Sequence, residues 1–223
     1  MPRILVADDH PLFRQALAQM LRRAFADAHV FEADTLLSTR ALLTSDNTIE
    51  LVLLDLHLPD SHGLMGLATL RAEFPAVAVA MISAHEDATT IRRALALGAA
   101  TYVPKRCDPA TLADALQRVF EGNDELPPVL SEILRGVGPA RNDSELATRF
   151  ARLSPQQFRV LGLIADGLLN KQIADVLDIQ ERTVKAHVTA IFERLGVRNR
   201  TQAGVLLRSL ELTDPAGRVD DAQ

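Results

Sequence analysis

Five side chains fall where short apolar runs end, and together they could hold a phosphoryl group. Asp8 and Asp9 follow Ile4-Leu5-Val6-Ala7, and Asp55 follows Leu51-Val52-Leu53-Leu54. Ser83 follows the run from Val77 to Ile82, and Lys105 follows the run from Ala100 to Val103 after Pro104. Carboxylates brought together repel and raise each other's pKa. A hard divalent cation resolves that repulsion, and Mg2+ prefers oxygen ligands and water. With a hydroxyl and an ammonium facing it, such a cluster suits Asp55 as a nucleophile that forms an aspartyl-phosphate, the cation and Lys105 offsetting charge.

The cluster forms only if the strands lie side by side. The apolar runs alternate with helix-period segments near 11–26, 35–44, 64–73, 87–97 and 109–120, with a weak strand at His29-Val30-Phe31. Continuous apolar strands separated by helices predict a parallel sheet covered on both faces, an α/β doubly wound (βα)5 domain of flavodoxin-like form. Its ligand site belongs at the carboxyl ends of the strands. Asp108 and Pro109 predict an N-cap and first position for the last helix.

Residues 122–152 are rich in Gly, Pro and small polar residues and read as a linker, with room for a short helix near 128–135 or 144–151. From 153 to 212 the pattern is all-α, a small four-helix unit. Ser154-Pro155-Gln156-Gln157 predicts a capping box. Helices follow over Asn170 to Leu177, Glu181 to Leu195 and Thr201 to Leu210. The helices at 170–177 and 181–195, joined tightly and able to pack through Ala174, Leu177, Ile179, Val184 and Val188, predict a helix-turn-helix. Residues 213–223 read as a disordered tail.

The whole chain carries a net charge of −5. Residues 1–121 hold 11 Lys+Arg against 15 Asp+Glu, and residues 153–210 hold 8 against 5. An acidic front and a mildly basic back suggest two tasks. Cys107 is the single cysteine, so no internal disulfide can form. No secretory h-region or membrane-length apolar run stands out, so a cytoplasmic protein without membrane contact is expected. His10, His57, His62 and His85 lie near the acidic cluster, but without helical pair spacing or a cysteine they read as exposed loop histidines rather than zinc ligands.

Residues 1–121 resemble the receiver domain of two-component response regulators. The likeness rests on Val6-Ala7-Asp8-Asp9-His10, Leu54-Asp55-Leu56-His57-Leu58-Pro59, Ile82-Ser83-Ala84-His85 and Gly98 through Lys105. It implies that Asp55 takes a phosphoryl group from a phosphohistidine on a sensor histidine kinase. It further implies Mg2+ bound by Asp9 directly, by Asp8 mostly through water, by Asp55 and by the backbone carbonyl of His57. Ser83 would hydrogen-bond the phosphoryl group, Lys105 would pair with it, and Tyr102 would turn inward behind Ser83.

Residues 153–210 resemble LuxR-type helix-turn-helix domains, through Leu153-Ser154-Pro155, Asn170-Lys171-Gln172-Ile173-Ala174, Thr183 to Val188 and Leu195 to Ala203. The pair is the NarL/FixJ architecture, which implies a transcriptional regulator of double-stranded DNA and a homodimer on phosphorylation or DNA binding. Thr183, Lys185 and Thr189 sit where bases are read, flanked by Arg182 and His187, with Lys171 and Arg200 in reach of phosphates. Ala203, Leu206 and Leu207 are expected to support the dimer. Gln157 and Arg159 stand where members often carry Glu; Gln157 still permits the capping box, and Arg159 puts a structural ion pair at risk. Two other classes compete with this non-enzyme reading. One is an aspartate-nucleophile phosphatase, which needs an acid-base carboxylate and finds its nearest candidate in Asp60, on a loop beyond Pro59; the other is an interaction adaptor that has lost DNA binding.

Overall fold

The computed structural model describes residues 1–61, 63–123, 125–135 and 141–210, with no account of the side chains at 141–144 and 147. The expected tail at 213–223 and His62 lie outside the described residues. Five strands, β1 (Arg3–Ala7), β2 (His29–Ala33), β3 (Leu51–Asp55), β4 (Ala78–Ser83) and β5 (Thr101–Pro104), form one sheet in the order β2-β1-β3-β4-β5. Every pairing is parallel. Helices α1 (Pro11–Ala24), α2 (Leu36–Ser45), α3 (Met65–Glu73), α4 (Ala88–Ala96) and α5 (Pro109–Phe120) alternate with them.

Successive strand residues face opposite sides of a sheet, and the core divides accordingly. Ile4, Val6, Leu51, Leu53, Ala80, Ile82 and Val103 pack with Leu17 and Leu21 of α1 and with Leu112 and Leu116 of α5. Leu5, Ala7, Val52, Leu54, Val79, Met81 and Tyr102 pack with Leu43 of α2, Leu67 and Leu70 of α3, and Ile91 and Ala94 of α4. Burial on both faces is why these strands are apolar without alternation.

Residues 122–152 carry two helices, α6 (Pro128–Leu134) and α7 (Arg141–Ala151). Leu130 and Phe150 are 1% and 3% exposed, joined to the α2–α4 side of the core. Then follow α8 (Pro155–Ala165), α9 (Asn170–Leu177), α10 (Glu181–Leu195) and α11 (Arg200–Arg208). Ser154 and Gln157 form the expected capping box at α8. Asp178 turns the chain from α9 into α10 at φ 51°, a left-handed position that Asp tolerates better than most residues. Ala174 and Val184 are buried between the two helices, with Leu177, Ile179 and Val188 partly buried beside them.

The two halves touch. α3 packs on α8, and α4 packs on α6 and α7. The Leu64 N–H donates to the Leu210 carbonyl at 3.0 Å, and Phe150 meets Phe158 edge to face with centroids 6.1 Å apart. Among the described residues, no helix is long and apolar enough to cross a membrane.

Candidate functional site

β1 and β3 are neighbours, with Ala7 opposite Leu54, so the strand ends bring Asp8 and Asp55 together. Period 2 decides where they point. Asp8, Asp55 and Lys105 continue the register of Val6, Leu53 and Val103, all on the α1/α5 face. The three side chains meet there. Lys105 Nζ lies 2.7 Å from Asp8 Oδ2 and 2.7 Å from Asp55 Oδ2. The Asp8 and Asp55 side chains are 0% and 3% exposed. The Phe13 ring of α1 covers the ammonium, 4.7 Å from its centroid. Arg14 donates to the Asp8 carbonyl at 2.6 Å and fixes the turn into α1.

Burial raises the Asp55 pKa, and the charge of Asp8 adds to the rise; the Lys105 hydrogen bond and charge and the His57 N–H oppose it without cancelling it. For Lys105 burial acts to lower the pKa, but its bonds to Asp55 and Asp8 and their charges leave it raised. By formal charge the two carboxylates outnumber the one ammonium, which suits a further cation. Ligand atoms of Asp8, Asp9, His10 and Asp55 all lie within 4.8 Å of one another. Three carboxylates in that volume fit a hard cation such as Mg2+. The His10 ring, outside the predicted ligand set, lies 2.6 Å from Asp9 Oδ1.

Ser83 and Tyr102 are fully buried on the opposite side of the strand ends. Ser83 Oγ accepts from the His85 N–H at 3.0 Å, and the Tyr102 hydroxyl donates to the His85 carbonyl at 2.7 Å. Burial pushes the Tyr102 phenol up to about 12. His57 and His85 depart from the sequence reading. They are half-buried rather than exposed, and His57 Nε2 lies 3.4 Å from His85 Nδ1. Their 28-residue separation hid this contact from any local pattern. Asp60, the acid-base candidate of the phosphatase alternative, is engaged elsewhere. Its two carboxylate oxygens accept the Leu36 and Leu37 N–H groups at 2.7 and 2.8 Å, capping α2 from a distant loop.

On the helical half, Arg182, Lys185, Thr189 and Lys171 are exposed, and Thr183 and His187 are half-buried. Lys185 pairs with Glu181 one turn earlier at 2.9 Å. Arg200 is half-buried and donates to Asn170 Oδ1 at 3.2 Å, so it braces α11 against α9. Ala203 and Leu207 are 0% and 1% exposed inside their own domain, which corrects their assignment to a dimer surface; Val205, 63% exposed, faces outward on α11. Gln157, which closes the capping box, also accepts from Arg194 of α10 in a charge-assisted hydrogen bond.

Comparison with known proteins completes the picture. The response regulator receiver domain family matches residues 4–117, and the family of bacterial regulatory proteins of the luxR type matches residues 151–207. The chain belongs to the response regulators. The glycerol metabolism activator of Pseudomonas putida is 38% identical over 217 residues, covering 96% of this chain and 98% of that protein. The nitrate/nitrite response regulator NarL of Escherichia coli K12 is 33% identical over 206 residues, covering 91% and 93%. Among solved structures, Salmonella enterica serovar Typhimurium RcsB bound to promoter rprA shares the fold, with TM-score 0.56 at 22% identity over 94% of this chain and all of that one. This response regulator therefore joins a receiver to a LuxR-type DNA-binding domain, the architecture of a two-component transcriptional regulator.

Proposed function

We propose that phosphorylation of Asp55 by a sensor histidine kinase controls DNA binding by α10. A carboxylate oxygen of Asp55 attacks the phosphorus of a phosphohistidine. The P–N bond breaks and its electron pair returns to the imidazole. Lys105, already on Asp55, moves onto the new phosphoryl oxygens, and Ser83 donates its hydroxyl to them. Asp8, Asp9, Asp55 and the His57 backbone carbonyl would hold Mg2+, which supplies positive charge to the transferring group. With Asp60 occupied at the start of α2 and the other acidic groups assigned to the cation, the receiver acts as a switch rather than a phosphatase.

The observation that carries this reading is the meeting of Asp8, Asp55 and Lys105 at 2.7 Å in one buried pocket. Acetyl phosphate with Mg2+ should label the wild type once per chain and leave Asp55→Asn unlabelled; equal labelling of both would remove Asp55 from the role.

On the DNA side, Lys185, Thr183 and Thr189 read bases, with Arg182, His187, Lys171 and Arg200 toward phosphates. The receiver contacts α8 and α7, while Arg182, Lys185 and Thr189 of α10 stay exposed. Control therefore acts through assembly rather than by covering the reading face. Phosphorylation shifts the protein from monomer to a dimer that places two α10 helices on two half-sites. Residues 1–121 receive the signal and 153–212 deliver it, in the cytoplasm and without membrane contact. Sedimentation of phosphorylated protein on its DNA as an unchanged monomer would overturn this.

A further inference from the structure

The geometry points to Phe13 as a positioning residue for phosphoryl transfer, one that holds the Lys105 ammonium at the phosphoacceptor through the face of its ring. This role rests on the proposed phosphorylation of Asp55. The ring centroid lies 4.7 Å from Lys105 Nζ, inside the range of about 6 Å over which a ring face attracts a cation. An ammonium has three N–H donors. Asp8 Oδ2 and Asp55 Oδ2 account for two, each at 2.7 Å, and the ring covers the ammonium from α1. The Lys105 side chain is 17% exposed, so little water competes with the ring.

The start of α1 fixes the ring. Phe13, Leu17 and Leu21 recur at i, i+4 and i+8 and pack into the α1/α5 core. The Arg14 side chain donates to the Asp8 carbonyl at 2.6 Å and its backbone N–H to the His10 carbonyl at 3.0 Å, which ties this turn to the end of β1. The consequence lies in the transfer step. An oxygen of Asp55 attacks the phosphorus of acetyl phosphate, the P–O bond to the acetyl group breaks, and its electron pair leaves with acetate. Lys105 exchanges a carboxylate oxygen for phosphoryl oxygens. Both of its anionic contacts change, since Asp55 becomes a mixed anhydride and Asp8 shares its charge with the cation. The ring contact depends on neither, because α1 carries it. Phe13 thus keeps the ammonium in the pocket while its anionic partners are exchanged.

The test follows labelling of the full chain by acetyl phosphate in saturating Mg2+. Phe13→Leu keeps an apolar cover and removes the ring face. It should still take the label, but about fivefold to thirtyfold more slowly, the range of a largely desolvated cation–π contact. Phe13→Tyr should restore the rate. In the Lys105→Met background, Phe13→Leu should slow labelling no further. Phenylalanines with one, two or three fluorines in place of Phe13 nearly keep the ring's shape and drain its face of electron density, so the rate should fall stepwise along the series. Without phosphorylation, the ring current should hold the Lys105 side-chain proton resonances upfield in wild type and Phe13→Tyr and release them in Phe13→Leu. An unchanged rate in Phe13→Leu, a fluorine series without trend, or a further loss in Lys105→Met overturns the positioning role and leaves the Asp55 assignment standing. A wild type that takes no label overturns that assignment, and the role with it. If Phe13→Leu unfolds, the fluorine series decides.

Discussion

Lys105→Met isolates the electrostatics of the pocket. Methionine keeps much of the stem and removes the charge. Lys105 Nζ is 2.7 Å from both Asp8 and Asp55, and its side chain is 17% exposed. At an effective dielectric of about 20, each contact is worth roughly 6 kcal/mol before desolvation. Burying the ammonium takes back much of this, but losing it leaves two carboxylates dry and facing one another. Removing one partner of a buried pair costs about 3–5 kcal/mol, and that is the destabilisation expected without metal. Mg2+ should then stabilise Lys105→Met more than wild type, since it would supply the missing positive charge, with the gain growing as RT ln(1 + [Mg2+]/Kd). Urea unfolding followed by tyrosine fluorescence reads this directly, because Tyr102 is the sole tyrosine, the chain has no tryptophan, and the ring is buried behind the pocket. A loss below about 1 kcal/mol, the range of exposed ion pairs, with equal Mg2+ effects on both proteins, would refute the shared pocket.

Other expectations follow from the same geometry. Lys185→Ala should weaken specific DNA binding by about 1–3 kcal/mol, and a footprint of unchanged selectivity would deny it a reading role. Asp60→Ala should free the Leu36 and Leu37 amides, cost about 0.5–2 kcal/mol and speed their hydrogen exchange; protected amides in the variant would contradict the cap. Phe150→Ala removes a ring that is 3% exposed, so it should cost about 3–5 kcal/mol, seen as a lower urea midpoint by circular dichroism; a near-neutral effect would mean α7 does not share the core. The Tyr102 phenol, at about 12 when folded against 10.0 ordinarily, favours the neutral ring in the fold. Its contribution is complete below 10.0 and is lost as pH rises toward 12, so Tyr102→Phe should flatten this part of the alkaline stability profile. Phenolate absorbance rising at the ordinary pH would speak against the burial.

The strands and helices were legible because each signal was local. Two-sided burial makes β1, β3 and β4 apolar end to end, and Asp108-Pro109 and Ser154-Pro155 mark helix starts. The strand-end rule then placed Asp8, Asp55 and Lys105 together without coordinates. Tertiary pairing was not legible. Asp60 caps a helix 23 and 24 residues earlier in the chain. His57 meets His85 across two loops, and Phe13 of α1 covers Lys105, contacts that follow from strand order and carry no local spacing. Residues 122–152 looked like a linker because Gly, Pro and small polar residues punctuate them, while single apolar residues such as Leu130 and Phe150 make the packing. Ala203 and Leu207 looked like an available apolar stripe, but α8 already fills that side of α11.

Strand parity also constrains how the signal travels. Asp8, Asp55 and Lys105 lie on the α1/α5 face, whereas Tyr102 belongs to the core on the α2–α4 face. Only the second core continues into Leu130, Phe150 and Phe158. A phosphoryl group added on the first face must therefore act across the strand ends to reach the helical half. On the proposed function Ser83 would take that step, since its hydroxyl accepts the His85 N–H while the His85 carbonyl accepts from Tyr102. Drawing the Ser83 hydroxyl toward a phosphoryl oxygen would loosen its bond to the His85 N–H, and with it the seat of Tyr102 beneath α4. Because α4 packs on α6 and α7, the first contact to yield would be between α4 and the segment joining the halves, ahead of any change within α8 to α11.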